Sequence, residues 1–174
     1  PRSYIDPNRA ETDFSLSEIS DFSKDILNID FQPTIKTKLG IGLIWLKVPP
    51  DGEDMYEKKL TYNQVANRIL NYHRPYHERL KLILKNTYDK YKCFFHVNCH
   101  SMQNNASAMS TQEKGTLRPD FVIGDRDGTS CNKKFTKLVV TILKDLHYDV
   151  VINDPYKGME LVSAYSNPVN NKHS

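Results

Sequence analysis

Three short apolar runs, set apart by loop and helical sequence, constrain this chain most. They are residues 94–98, 121–123 and 150–152. Between the second and third, Phe135, Leu138, Val139, Ile142, Leu143 and Leu146 recur at helical spacing and mark an amphipathic helix with an apolar inner face. Strand, helix and strand in alternation imply a parallel sheet with helices packed on it. The expected fold class is therefore α/β, a mainly parallel or mixed sheet flanked by helices, with the strands through Val97, Ile123 and Ile152 in one sheet. Sites in such sheets lie beyond the carboxyl ends of the strands. His100, Asp125 and Asp154 follow those three ends, so spacing alone makes them converge.

The first half reads differently. Residues 1–35 are polar and irregular. Residues 42–48 (GLIWLKV) predict a short buried strand, ended by a turn at Pro49-Pro50-Asp51-Gly52. Thr61 with Gln64 predicts a capping box. Val65, Ile69, Tyr72, Tyr76, Leu80, Ile83 and Leu84 then predict one apolar helical face. Pro75 has no amide to donate and clashes with the carbonyl of Asn71, so a kink or break is expected there, with Pro75 near the start of a second helix. Residues 101–118 form a long polar loop, a length more often functional or mobile than incidental.

With 174 residues the chain is long enough for one domain with a true core. A net charge of +3 without a Lys/Arg stripe does not imply nucleic acid. Apolar runs fall far short of a membrane span. Three cysteines, Cys93, Cys99 and Cys131, form no disulfide framework and favour a reducing cytoplasm.

The chemistry-bearing candidates are few. His100 and Ser101 follow the run at 94–98; His100 is either a zinc ligand or a strand-end histidine bonded to a loop carbonyl. His96 lies on the same strand face, roughly 13 Å from it along an extended chain, so one metal does not take both. His96 is read as structural. Cys93 and Cys99 lack a zinc-class spacing and are read as buried packing. Asn8-Arg9 offers a guanidinium fork for a carboxylate, or a surface salt bridge. Asp125-Arg126-Asp127-Gly128 is turn chemistry carrying two carboxylates and a cation. Asn153-Asp154-Pro155-Tyr156-Lys157-Gly158 suits a pocket wall, in which Tyr156 donates a hydrogen bond, or a purely structural turn.

In this order and at these distances, the motifs resemble the N-formylglutamate amidohydrolase family, zinc hydrolases related in fold to the carboxypeptidases. The matching stretches are Asp6-Pro7-Asn8-Arg9, Arg74-Pro75-Tyr76-His77, His100-Ser101, the run from Gly124 to Thr129, the run from Asn153 to Gly158, and His173-Ser174. The resemblance implies a zinc-exopeptidase architecture and hydrolysis of N-formyl-L-glutamate, or a similar small acidic N-acyl amino acid, to formate and L-glutamate, a step of histidine degradation. It implies zinc with His100 as a ligand, and substrate contacts from Asn8, Arg9, Ser101, Asp125, Arg126, Tyr156 and His173. It also implies a His-Glu zinc pair before Asn8 and a general-base Glu beyond Ser174. Neither is found here, so residues 1–174 are expected to be a single α/β hydrolase domain cut at both ends, with the catalytic base unknown and the segment inactive alone. Two rival readings remain. One is a Mg²⁺-dependent phosphodiesterase or nuclease using Asp120, Asp125 and Asp127. The other is a binding domain that has lost its metal site.

Overall fold

The computed structural model describes residues 1–21 and 27–174. For residues 22–26, the reading of 1–35 as irregular lies outside the described residues. The chain forms two compact units, Pro1–Leu80 and Lys81–Ser174.

The first unit is mostly loop around a closed core. Phe14, Leu43, Val65 and Ile69 are fully buried, with Ile44 and Tyr62 nearly so. A 3₁₀ turn at Leu16–Glu18 and the short helix α1 (Ile35–Lys38) precede a hairpin of β1 (Lys47–Val48) and β2 (Glu53–Asp54). The predicted strand over 42–48 is thus corrected to its last two residues. Leu43 and Ile44 enter the core as loop residues, and the Leu43 backbone bonds Asp6 and Asp13 rather than a neighbouring strand. The turn at Pro49–Gly52 is where it was expected, closed by Gly52 N–H on the Val48 carbonyl. Buried loops need side chains to satisfy their backbone. Asp13 does this, accepting from the Thr34 amide and from the Thr34 and Thr37 hydroxyls.

Helix α2 (Tyr62–Arg68) starts at the predicted capping box of Thr61 and Gln64. A wide π turn, Ile69–His73, follows, and α3 (Arg74–Tyr91) begins one residue before Pro75. The Arg74 amide reaches back five residues to the Ile69 carbonyl. The helix thus accommodates Pro75 by widening, a common response to an interrupted hydrogen-bond ladder. The widening corrects the predicted face. Val65 and Ile69 are buried, but Tyr72 and Tyr76 are 56% and 43% exposed, and the inward residue is now His73. One extra residue in the turn moves the inner stripe from positions 72 and 76 to 73 and 77.

The second unit is α/β with small parallel sheets and helices. β4 (Phe121–Ile123), α4 (Lys133–Asp145) and β5 (Val150–Ile152) form a β-α-β unit with Phe121 opposite Val150 and Ile123 opposite Ile152. β3 (Phe94–Phe95) pairs in parallel with β6 (Lys172–His173). The single sheet through Val97, Ile123 and Ile152 is therefore not formed: β3 and the β4–β5 pair belong to separate two-stranded sheets, and Val97 lies outside any strand, 64% exposed. The partner of β3 comes from the far end of the chain, which no local pattern reports. A short helix α5 (Glu160–Tyr165) follows β5.

Asn132 caps α4, its side-chain oxygen accepting from the Lys134 amide at 2.8 Å. The predicted inner face of α4 is half right. Phe135, Val139 and Leu143 are half-buried, while Leu138, Ile142 and Leu146 stand exposed. Two strands about 4.8 Å apart are narrower than a helix of about 10 Å diameter, so one stripe stays uncovered. Among the described residues no helix is long and apolar enough to cross a membrane.

Candidate functional site

The carboxyl ends of β4 and β5 are joined by two turns that lock backbone to backbone. A Cβ on Gly124 would lie 2.7 Å from the Gly158 nitrogen and 2.8 Å from the Lys157 carbonyl carbon, so only glycine admits this approach. Arg126 N–H donates to the Lys157 carbonyl at 2.8 Å, and Asn153 N–H to the Ile123 carbonyl at 2.9 Å. Arg126, Asp127 and Asn153 all hold left-handed backbone, at φ of 54°, 57° and 61°. Such conformations are uncommon outside glycine and persist only where the surroundings over-determine them.

Asp125 supplies that constraint. Its carboxylate accepts from Asn153 Nδ2 (2.7 Å), Gly128 N–H (2.9 Å) and Thr136 Oγ1 (3.0 Å). Burial by itself raises its pKa, but these hydrogen bonds outweigh burial and hold it below the ordinary carboxylate range. The Asp125 carboxylate is buried and engaged, so it holds the turn. What the turn presents is Arg126, exposed, with Nη1 donating to the Gly158 carbonyl at 3.3 Å. Tyr156 lies on the facing turn, two residues before Gly158, and is 40% exposed. Asp127 pairs with Lys157 at 2.8 Å. The structure therefore brings Asp125, Arg126 and Tyr156 to one junction; of the three strand ends expected to converge, those before Asp125 and Asp154 lie in one sheet, while β3, which precedes His100, belongs to another.

Two residues of this junction, Thr136 and Arg118, escape the sequence reading, and a third, Asn153, is read only as part of the pocket-wall run; in the structure Asn153 is the link between β5 and the Asp125 turn. Thr136 lies inside α4 and gives no signal. Arg118 organises the loop of residues 101–118 through Gln112 Oε1, Ser110 Oγ and the Gln103 carbonyl, and its guanidinium lies 5.4 Å from the Tyr156 ring centre.

The remaining candidates of this unit differ in exposure. His100 and Ser101 are exposed and outside regular structure. His173 is buried in β6, its ring stacked on Phe95 at 4.7 Å and its Nδ1 accepting from the Asn132 amide at 3.3 Å. Burial lowers its pKa. It serves packing in this arrangement. His96, read as structural, bonds Ser174 Oγ through Nδ1 at 2.8 Å.

In the first unit, Asn8 and Arg9 are both buried. The Arg9 guanidinium donates to the Asn8 carbonyl (2.9 Å) and the Ile41 carbonyl (3.4 Å), with Asp6 and Asp13 carboxylates 3.9 and 4.0 Å away. Burial lowers its pKa, and Asp6 and Asp13 act the other way. A surface salt bridge is thereby excluded, and so is a guanidinium standing open to solvent. Beside it, Arg74 grips Glu11 through Nε and Nη2, at 2.6 Å for the shortest contact.

Zinc is a poor fit to these residues alone. A catalytic zinc takes three protein ligands, and among the described residues no three His, Cys, Asp or Glu side chains gather to hold a metal ion.

The N-formylglutamate amidohydrolase family model matches residues 1–174. The crystal structure of N-formylglutamate amidohydrolase from Ralstonia eutropha JMP134 is 37% identical in sequence and superposes with a TM-score of 0.89. The match covers 100% of this chain and 60% of that one, so the chain spans less than two thirds of the length of this structural relative. No curated protein matches the chain. With a family match over every residue and this identity across the whole chain, the protein belongs to the N-formylglutamate amidohydrolase family.

Proposed function

We propose that this chain serves the hydrolysis of N-formyl-L-glutamate, or a similar N-acyl acidic amino acid, to formate and L-glutamate. The family match over all 174 residues carries the reading. Water adds across the amide: its oxygen joins the formyl carbon, the C–N bond breaks, and the amine leaves with the proton. The substrate carries two carboxylates, and Arg126 is the exposed guanidinium in the β4–β5 junction suited to one of them. Arg9 with Asn8 is assigned carboxylate recognition within its own unit, Tyr156 and Ser101 hydrogen bonding to substrate, and Asp125 the alignment of Arg126. His173 is retained as a substrate-side residue only through the packing it gives β6.

The proposal extends to the zinc-exopeptidase architecture and to zinc itself, with His100 as the ligand this chain contributes. Because the described residues do not assemble a three-ligand set, no step is derived through the metal, and the general base stays unassigned. A cytoplasmic location and a place in histidine degradation follow from the substrate class, together with the free thiols of Cys93, Cys99 and Cys131. The Mg²⁺ reading has little support, since its carboxylates are already engaged: Asp120 by the Asp149 amide, Asp125 by three donors, Asp127 by Lys157.

Formate release from N-formyl-L-glutamate by the protein carrying this chain tests the reading, with N-formyl-L-alanine as the control and metal content measured alongside. The acidic substrate is expected to be preferred. Arg126→Lys keeps the charge but loses the planar fork. It is expected to lower kcat/KM about 30- to 150-fold, the equivalent of roughly 2–3 kcal/mol for one charge-assisted contact. No formate from either substrate overturns the reaction. An unchanged kcat/KM in Arg126→Lys removes Arg126 from recognition.

A further inference from the structure

The Arg74-Pro75-Tyr76-His77 stretch has no part in the proposed reaction, yet it directly follows the widened turn that ends at His73. Two imidazoles there reach the same short loop. His73 Nε2 lies 2.9 Å from the Arg9 carbonyl oxygen, and His77 Nε2 lies 2.9 Å from the Pro7 carbonyl oxygen. A carbonyl only accepts, so both ring nitrogens donate, and each neutral ring carries its proton on Nε2. The two carbonyls flank Asn8. The rings themselves lie 4.3 Å apart between centroids, tilted by 35°.

The π turn makes this possible. Residues four apart on an α-helix drift by about 40° around the axis, because 3.6 residues complete a turn. Over Val65, Ile69, His73 and His77 that drift would carry the histidines off the inner face. A turn that spans five residues reverses part of it and keeps them inward, while Tyr72 and Tyr76 rotate out. π turns recur at functional sites. His73 is buried, and its Nδ1 has no hydrogen-bond partner, with Glu11 Oε2 at 3.9 Å. A buried imidazole kept with one orphaned nitrogen costs stability. Its Nε2 bond to the loop is what it gives in return.

We propose that His73 and His77 are positioning residues, which use their Nε2 donors on the Arg9 and Pro7 carbonyls to hold Asn8 and Arg9 in the geometry that recognises substrate. This rests on the reading of Asn8 and Arg9 as substrate-recognising. Two measurements separate the claims. NMR of the imidazole nitrogens in the chain at neutral pH reads the tautomers directly. Both rings are expected as Nε2–H; an Nδ1–H form of either overturns the positioning role whatever the activity. In the active protein, His77→Gln keeps an amide donor near the place of Nε2, and His77→Phe removes it. Loss of one such bond is expected to raise KM for N-formyl-L-glutamate about tenfold in the Phe variant, with kcat changed less than about twofold and the Gln variant near wild type. An unchanged KM in a folded, active Phe variant, or equal loss in both variants, overturns positioning alone. A wild type that releases no formate overturns the reaction instead, and the tautomers still judge the geometry.

Discussion

Phe14 and Ile69, in the loop-rich first unit, are fully buried, whereas Leu138, Ile142 and Leu146 stand 53%, 50% and 60% exposed on a well-formed helix of the second. The unit with less regular structure has the closed core. It closes because loops wrap it from several sides and find side-chain partners for their own backbone, Asp13 and Asp6 foremost. The unit with more regular structure has two narrow sheets, and neither is wide enough to cover an amphipathic helix. Regular hydrogen bonding and core closure are separate achievements. The second unit instead spends its order on one junction, where Asp125 and Asn153 hold two left-handed turns against each other.

The sharpest way to break this contrast is a pair of truncations followed by urea denaturation. Phe14→Ala removes a fully buried ring and is expected to cost about 3–5 kcal/mol. Ile142→Ala removes a half-exposed side chain and is expected to cost under about 1 kcal/mol. Similar losses in both would show that the α4 face is covered after all. Next is the junction. Gly124→Ala forces a methyl into the facing backbone and is expected to cost about 1–3 kcal/mol, read as a fall in Tm. A neutral result would show that the two turns have room to part.

A smaller effect is expected at the helix start. Thr61→Ala removes half of the capping box and should cost about 1 kcal/mol by denaturant titration. The smallest and most distributed effect is on pH dependence. Burial lowers the pKa of His73, opposed by its bond to the Arg9 carbonyl, and burial also lowers those of His96 and His173. The unfolded chain then binds protons more readily than the folded one. The stability these groups contribute is complete above about pH 6.5 and is lost as pH falls toward their folded values. Glu11, lowered chiefly by its bond to Arg74, and Asp125 add a second loss below about pH 4. A denaturation midpoint that rises between pH 7 and pH 5.5 would contradict the buried, neutral histidines.

Local chemistry was legible in the sequence. The capping box at Thr61, the turn at Pro49–Gly52, the interruption near Pro75, helix α4 and the strands at 121–123 and 150–152 all depend on residues within a few positions of one another, where sterics and near hydrogen bonds decide. So did the order of motifs, which carried the family. Tertiary structure alone decided the rest. A one-residue widening at Ile69–His73 exchanged tyrosines for histidines on the inner face, although the apolar spacing favoured the tyrosines. The pairing of β3 with β6, the enclosure of Arg9 between Asp6 and Asp13, and the engagement of Asp125 by Asn153 and Thr136 each depend on which surfaces meet once the chain closes. Burial and long-range pairing are properties of that closed arrangement, and no window of neighbouring residues contains them.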